Sequence, residues 1–166
     1  MRLTTFVNRS LLLCFTAVLL IITGCAGLPN AQPIATAIAN NPNLSTLSSL
    51  ITKAGLASTL NGTGSFTVFA PDNEAFKAVP QKTLDELAAS PAKLTEVLTF
   101  HVVPNRAMAA DVKTSSVKTV NGANIGLSKA GSFVTVEDAV VKTADINAAN
   151  GVIHTIDRVL MPPVRR

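Results

Sequence analysis

The sequence contains no tryptophan and no tyrosine. Rings with a polar tip are common at binding surfaces, and exposed aromatic faces are what bases stack on. The only aromatics are seven phenylalanines, two of which, Phe6 and Phe15, fall in an N-terminal leader. The other five sit in core-like patterns, so aromatic-platform binding of sugars or single-stranded nucleic acid is not expected. Charge is also scarce, at 14% of residues. Of the 14 basic residues Arg2 and Arg9 belong to the leader, leaving 12 against 10 acidic ones, and the terminal Arg165 and Arg166 supply that excess. A basic nucleic-acid face is therefore not indicated, and the Arg-Arg end is read as solvated. With only two histidines and no clustered cysteine or carboxylate, a zinc site is poorly supported and no HExxH occurs. There is no Gly-x-Ser-x-Gly elbow, and Gly62-Thr63-Gly64 lacks the third glycine of a dinucleotide loop and the lysine of a phosphate loop. No cofactor, metal or catalytic residue is expected.

What is present begins with an apolar run, Leu11–Ile22, behind a basic start. Twelve residues are too few to span a bilayer and suit a signal-peptide core. The run ends in Ile22-Thr23-Gly24-Cys25, which resembles a bacterial lipoprotein cleavage box. Residues 1–24 are expected to be the signal and Cys25 the lipidated first residue of the mature chain. An ordinary secretory signal with an incidental cysteine is the alternative. Cys14 would leave with the leader, so the mature chain has one cysteine and no internal disulfide. A free thiol in an oxidising compartment is a liability that acylation removes. Residues 25–32 form a tether that reaches only ~20 Å when extended. Ala26 is not an aspartate, which by resemblance to lipoproteins of two-membrane cells favours the outer membrane. The expected place is the cell envelope, anchored by lipid, with a membrane as the first partner.

With 166 residues, 48% of them apolar, one domain with a sizeable core is expected. Pro33 starts a brief helix to Asn40, and Asn43 is positioned to cap a second carrying Leu44, Leu47, Leu50 and Ile51 on one face. Gly55 is a stop. Thr83–Ala89 and Pro91–Phe100 are further helices, the latter opened by Ser90-Pro91 as cap and first turn, with Leu94, Val97, Leu98 and His101 on one stripe. Beyond Val112 the period becomes two. Val117–Val120 and Asn124–Ser128 flank Asn121-Gly122, a hairpin signal, and Phe133–Glu137 and Val140–Thr143 flank Asp138-Ala139, a second. Val152–Leu160 closes the chain as a strand, ended by Pro162-Pro163. Helices first and strands later predict an α+β fold.

The chain is organised around Ser65–Phe76, SFTVFAPDNEAF. Phe66-Thr67-Val68-Phe69 is a short β-branched and aromatic strand. Pro71 bars a ladder hydrogen bond, and Asp72 can cap a helix through Asn73–Phe76. This stretch resembles the first signature of the fasciclin domain family, and Asn150–Pro162 (NGVIHTIDRVLMP) resembles the second. Phe100-His101 stands where the family carries a Tyr-His pair. Order and spacing agree over residues 33–162, leaving 163–166 as a tail. The resemblance implies a β-wedge or sandwich of about seven strands with the N-terminal and central helices packed on it. It also implies adhesion rather than a reaction.

The residues that could carry chemistry have plainer readings. His154 shares parity with Val152, Ile156 and Leu160, so it is read as a core group with a satisfied hydrogen bond. His101 is read the same way, Asp72 as a cap, and Asp157 as pairing with Arg158 of a neighbour or capping a turn. Phe66, Phe69 and Phe76 complete the structural set. The family's integrin-binding members carry Asn-Lys-Asp-Ile-Leu before the second signature; here the place reads Thr143-Ala144-Asp145-Ile146-Asn147, matching only at Asp145 and Ile146. Asp-Ile leading into Asn-Gly also looks like turn construction. With His101, these two are the candidate binding residues, and Phe100 in place of the family's tyrosine lacks the phenol. The expected function is a non-catalytic, lipid-anchored envelope module for adhesion, meeting an unknown protein or matrix partner, as a monomer. The alternative is a small-ligand or lipid-binding protein using a groove between helices and wedge.

Overall fold

The computed structural model describes residues 31–163. The expected leader 1–24, the lipidated Cys25, most of the tether and the terminal arginines lie outside the described residues.

Helix α1 (Ile34–Ala39) follows Pro33 and turns Ile34 and Ile38 inward. The second helix is not capped by Asn43. Instead the Asn41 side chain accepts the Asn43 N–H at 3.0 Å and opens a 3-10 turn, Pro42–Leu44, that contains Asn43. Helix α2 (Ser45–Lys53) then buries Leu47 and Ile51. It stops at Gly55, whose φ of +68° lets its own N–H reach Thr52 O while the Leu56 N–H reaches Ile51 O. One further turn, α3 (Ala57–Leu60), follows and buries Leu60.

Strand β1 (Phe66–Pro71) runs two residues past Phe69, because the side of Pro71 that lacks an N–H costs no ladder bond there; the Asp72 N–H bonds Ile156 O instead. Helix α4 (Asn73–Lys77) follows at once, then α5 (Gln81–Ala89) and α6 (Pro91–Phe100). Ser90 occupies the cap position of α6 without a side-chain capping bond, so Pro91 alone marks that start. The stripe Leu94, Val97, Leu98 and His101 is buried throughout.

The remaining strands are β2 (Val102–Val103), β3 (Ser115–Lys118), β4 (Asn124–Ala130), β5 (Phe133–Val136), β6 (Ala139–Ala148) and β7 (Gly151–Ile156). They form one seven-stranded sheet in the order β2-β1-β7-β6-β5-β4-β3. All pairs are antiparallel except β1 with β7, which run parallel. The fold is α+β with a mixed, wedge-like sheet and helices packed on it.

Three turn expectations shift. The first hairpin has a five-residue connection, Thr119–Ala123, in which Gly122 and not Asn121 takes positive φ; Val120 leaves the strand to bond Val102 O. The turn between β5 and β6 is Glu137-Asp138, one residue earlier than Asp138-Ala139, with Glu137 at φ 53°. A third hairpin, turning at Gly131-Ser132, was not foreseen. The closing strand ends at Ile156 rather than Leu160, so Asp157 lies just beyond it.

The parallel pair is a wall with a core on each side. Val68, Ala70 and Ile153 face the helices with Ile34, Leu47 and Leu94. Phe69 and Ile156 face the hairpins with Ile125, Val136 and Phe100. Every residue of β7 is buried, the signature of a strand covered on both faces. Gly151 opens β7 because a Cβ there would fall on the Phe66 carbonyl oxygen and 2.8 Å from Ile34 Cδ1. Phe133 departs from the expected core pattern: it sits beside the Gly131-Ser132 turn and is 67% exposed.

Candidate functional site

The site is built outward from the wall. On its hairpin side Thr67 and His154 are buried, and the irregular segment Pro104–Val112 crosses over them as a strap. Thr67 Oγ1 donates to Asn105 O at 2.6 Å and accepts the Ala107 N–H at 2.8 Å. His154 Nε2 meets Ala107 O at 2.9 Å. Asp145 Oδ1 accepts the Ala109 N–H at 2.8 Å, and Lys129 Nζ donates to Ala109 O and Ala110 O. Arg106 reaches out of the strap to Asn147 Oδ1 at 2.6 Å.

Asp145 and Ile146 are not in a turn. They lie within β6, whose register against β7 slips twice, between Val141 and Thr143 and again between Thr143 and Ile146. Such bulges re-aim side chains. The second leaves Asp145 at φ 59°, a conformation that aspartate tolerates better than most residues. That turns its N–H onto His154 Nδ1 at 3.2 Å and its carboxylate onto the strap. Ile146 packs against the helix-side core.

A backbone N–H only donates, so His154 Nδ1 is an acceptor and Nε2 carries the hydrogen. The ring stacks on Phe69 with centroids 5.6 Å apart. Burial lowers its proton affinity, against the opposing pull of Ala107 O and the Asp145 charge. His101 is arranged the other way round. Its Nδ1–H donates to Val97 O at 2.8 Å in the last turn of α6, and Nε2 accepts the Leu160 N–H at 2.9 Å. Burial lowers its pKa to about 4, outweighing the bond to Val97. Both imidazoles are thus neutral near pH 7, with both nitrogens engaged by backbone groups. Neither has a lone pair left for a metal or a substrate proton. Among the described residues no group of three or more His, Cys, Asp or Glu is placed to hold a metal ion.

Asp72 Oδ1 accepts the Ala75 N–H at 2.7 Å at the start of α4, and Oδ2 accepts from Lys142 Nζ at 2.6 Å. Burial is the largest single influence and disfavours its charge. The Lys142 and Ala75 bonds with the Lys142 charge outweigh it and hold the carboxyl below the ordinary value. Phe69 and Phe76 are buried, and Phe66 packs at the edge of the helix-side core. The Asp157 Oδ1 accepts the Val140 N–H at 2.7 Å and ties the end of β7 to the start of β6. Arg158 pairs loosely with Asp138 of the same chain, at 3.6 Å.

The sequence did not reveal two asparagine hubs. Asn150 Oδ1 accepts the Ile34 N–H, and its amide donates to Leu60 O and Gly62 O, joining α1, α3 and the β6–β7 turn. Asn73 Oδ1 accepts the Thr46 N–H while its amide donates to Pro42 O, joining α4 to the entry of α2. The only available signal was that Asn150 precedes a glycine, which reads as a turn.

Between helices and wedge, where a ligand groove was expected, lies an apolar cavity of about 40 Å³ lined by Leu47, Ile51, Leu60, Phe66, Val68 and Leu98 among others. Small-molecule sites usually enclose roughly 300–1,000 Å³. A wider open groove, about 560 Å³, runs between α4–α5 and Val159–Met161, with Arg158 its charged lining residue.

Comparison with known proteins places this geometry. A family model described as the fasciclin domain matches residues 42–162. Protein sll1483 of Synechocystis sp. is 39% identical over 141 residues, covering 84% of this chain and 78% of that protein. Immunogenic protein MPB70 of Mycobacterium bovis is 38% identical over 137 residues, covering 80% and 70%. Cell surface glycolipoprotein MPB83 of the same organism is 37% identical over 139 residues, covering 81% and 62%. Among solved structures, the FAS1 domain pair of the insect cell adhesion molecule Fasciclin I superimposes with a TM-score of 0.63 at 16% identity, covering 79% of this chain and 51% of that one.

Proposed function

The chain belongs to the fasciclin domain family, and on that premise we propose that it is a non-catalytic binding module of the cell envelope, held there by lipid on Cys25. The observation that carries the reading is the relationship over most of the chain to a cell surface glycolipoprotein and to an immunogenic protein. Two features support it. Both imidazoles are consumed by backbone hydrogen bonds, which leaves neither free to act as a base. The Ile22-Thr23-Gly24-Cys25 box supplies the one cysteine that an acyl chain would take. Adhesion through a protein or matrix partner is the expected activity.

Growth of the full-length protein's host with a labelled fatty acid tests the anchor. Wild type should carry label and fractionate with membranes, and Cys25→Ala should do neither. Equal labelling of both would remove the anchor from the reading. The binding role is tested by retention of the domain on intact cells or matrix extract; no retention above an unrelated domain of similar charge would count against it.

A second reading, an envelope small-ligand or lipid carrier, is supported by the open groove beside Arg158. Native mass spectrometry separates the two: a co-purified mass lost in Val79→Asp favours the carrier.

A further inference from the structure

We propose that His154 is a proton-operated latch: neutral, it ties the Pro104–Val112 strap and the Asp145 bulge into one network, and protonated, it breaks that network at the bulge and loosens the strap around Ala109.

The geometry requires neutrality. Nδ1 accepts the Asp145 N–H at 3.2 Å, and Nε2–H donates to Ala107 O. An added proton has only Nδ1 to occupy, and there it would point a second hydrogen at the first. Nothing on the ring's own strand relieves this, because β7 has no other titratable residue, and neither has β1 behind it. The relief is on β6. The Asp145 carboxylate is the charge that favours the imidazolium, and it hangs from a backbone already at φ 59°. Its Oδ1 holds the Ala109 N–H, a strap anchor, so a swing of the carboxylate toward the imidazolium pulls on that anchor. The Nε2–H bond to Ala107 O survives protonation, so the proton acts on the strap through the Asp145 bulge and its Ala109 anchor.

The other charged groups around the ring do not substitute for Asp145. Lys129 on β4 is committed to Ala109 O and Ala110 O, and Arg106 on the strap to Asn147. Both are cations and would repel an imidazolium. Asp111 is on the strap and exposed. His101 touches the same region only through its carbonyl, which accepts the Phe69 N–H, and its ring is spent on Val97 and Leu160. Burial depresses the proton affinity of His154 in the latched state, so release sets in below the ordinary histidine range.

The test is hydrogen exchange of the intact protein read by mass spectrometry, corrected for the intrinsic rate at each pH. Between the free and latched proton affinities, opening of residues 104–112 should rise roughly tenfold per pH unit of acidification, while β7 and α6 keep their protection. In His154→Gln, a neutral side chain, strap protection should no longer depend on pH, whatever its level. His101→Gln should keep the dependence. A second measurement serves if His154→Gln does not fold: the imidazole nitrogen shifts of wild type should titrate together with the strap amides. The latch is overturned if the strap stays protected while His154 titrates, or if it loosens only in step with β7 and α6.

Discussion

The two sides of the β1–β7 wall are satisfied by different chemistry. On the helix side the core cluster is apolar, and the polar work is done at the rim by Asn150 and Asn73, which no proton alters. On the hairpin side two neutral imidazoles, Thr67 and Asp145 hold the strap and the end of α6 from within. Equal burial therefore brings unequal sensitivity. The helix side responds to volume and amide geometry, and the hairpin side responds to acid as well.

The sharpest way to break the contrast is to remove what both sides share. Gly151→Ala puts a methyl group onto the Phe66 carbonyl, backbone against side chain with no flexible atom to yield. The parallel ladder must part at its first rung, and loss of cooperative unfolding in urea is the expected result. Phe69→Ala empties only the hairpin side and is expected to cost ~3–5 kcal/mol, read from urea midpoints. A melting curve like wild type would contradict its place in that core.

Acid sharpens the comparison next. The His101 pKa is lowered in the folded state, from the ordinary 6.5 to about 4, so only the unfolded chain takes up the proton between those values. Stability contributed by its neutrality is whole above pH 6.5 and drains as pH falls to 4, on the order of 3 kcal/mol in all. Urea titrations across that range should show the loss, and His101→Gln should flatten this part of it. On the helix side, Asn150→Ala strands the Ile34 N–H and two carbonyls and should cost ~1–3 kcal/mol with the same value at pH 5 and pH 7. A pH-dependent cost would undo the division. Smallest is Asp72→Ala, ~1 kcal/mol through the lost cap, measured by thermal melting at pH 7. Its carboxyl is held below the ordinary value, so that contribution persists until pH drops under about 3.8, the ordinary aspartate value, and then fades.

The fold was legible where one residue type has one use. Phenylalanine next to β-branched residues gave β1, Pro91 marked α6, and Gly55 marked the end of α2. It was obscured where the backbone chose between near-equal neighbours. Asn41 and Asn43 can each cap, and Pro42 decides for Asn41 by preferring the first helical position. Asp138-Ala139 and Glu137-Asp138 differ by one residue, and the inward parity of Val136 decides for the latter. The site was hidden for a different reason. Strap and bulge meet across some 40 residues of chain, and their bonds run from side chain to main chain, which leaves no periodicity to read. A turn at Asp145-Ile146 was the local interpretation; a strand with an extra residue is what the distant partner imposes.

Of the seven described strands, the last in chain order lies inside the sheet. β7 lies between β1 and β6, and β1 without it has only the two residues of β2 beside it. During synthesis β1 therefore waits for β7, some 80 residues later, before its parallel ladder can close.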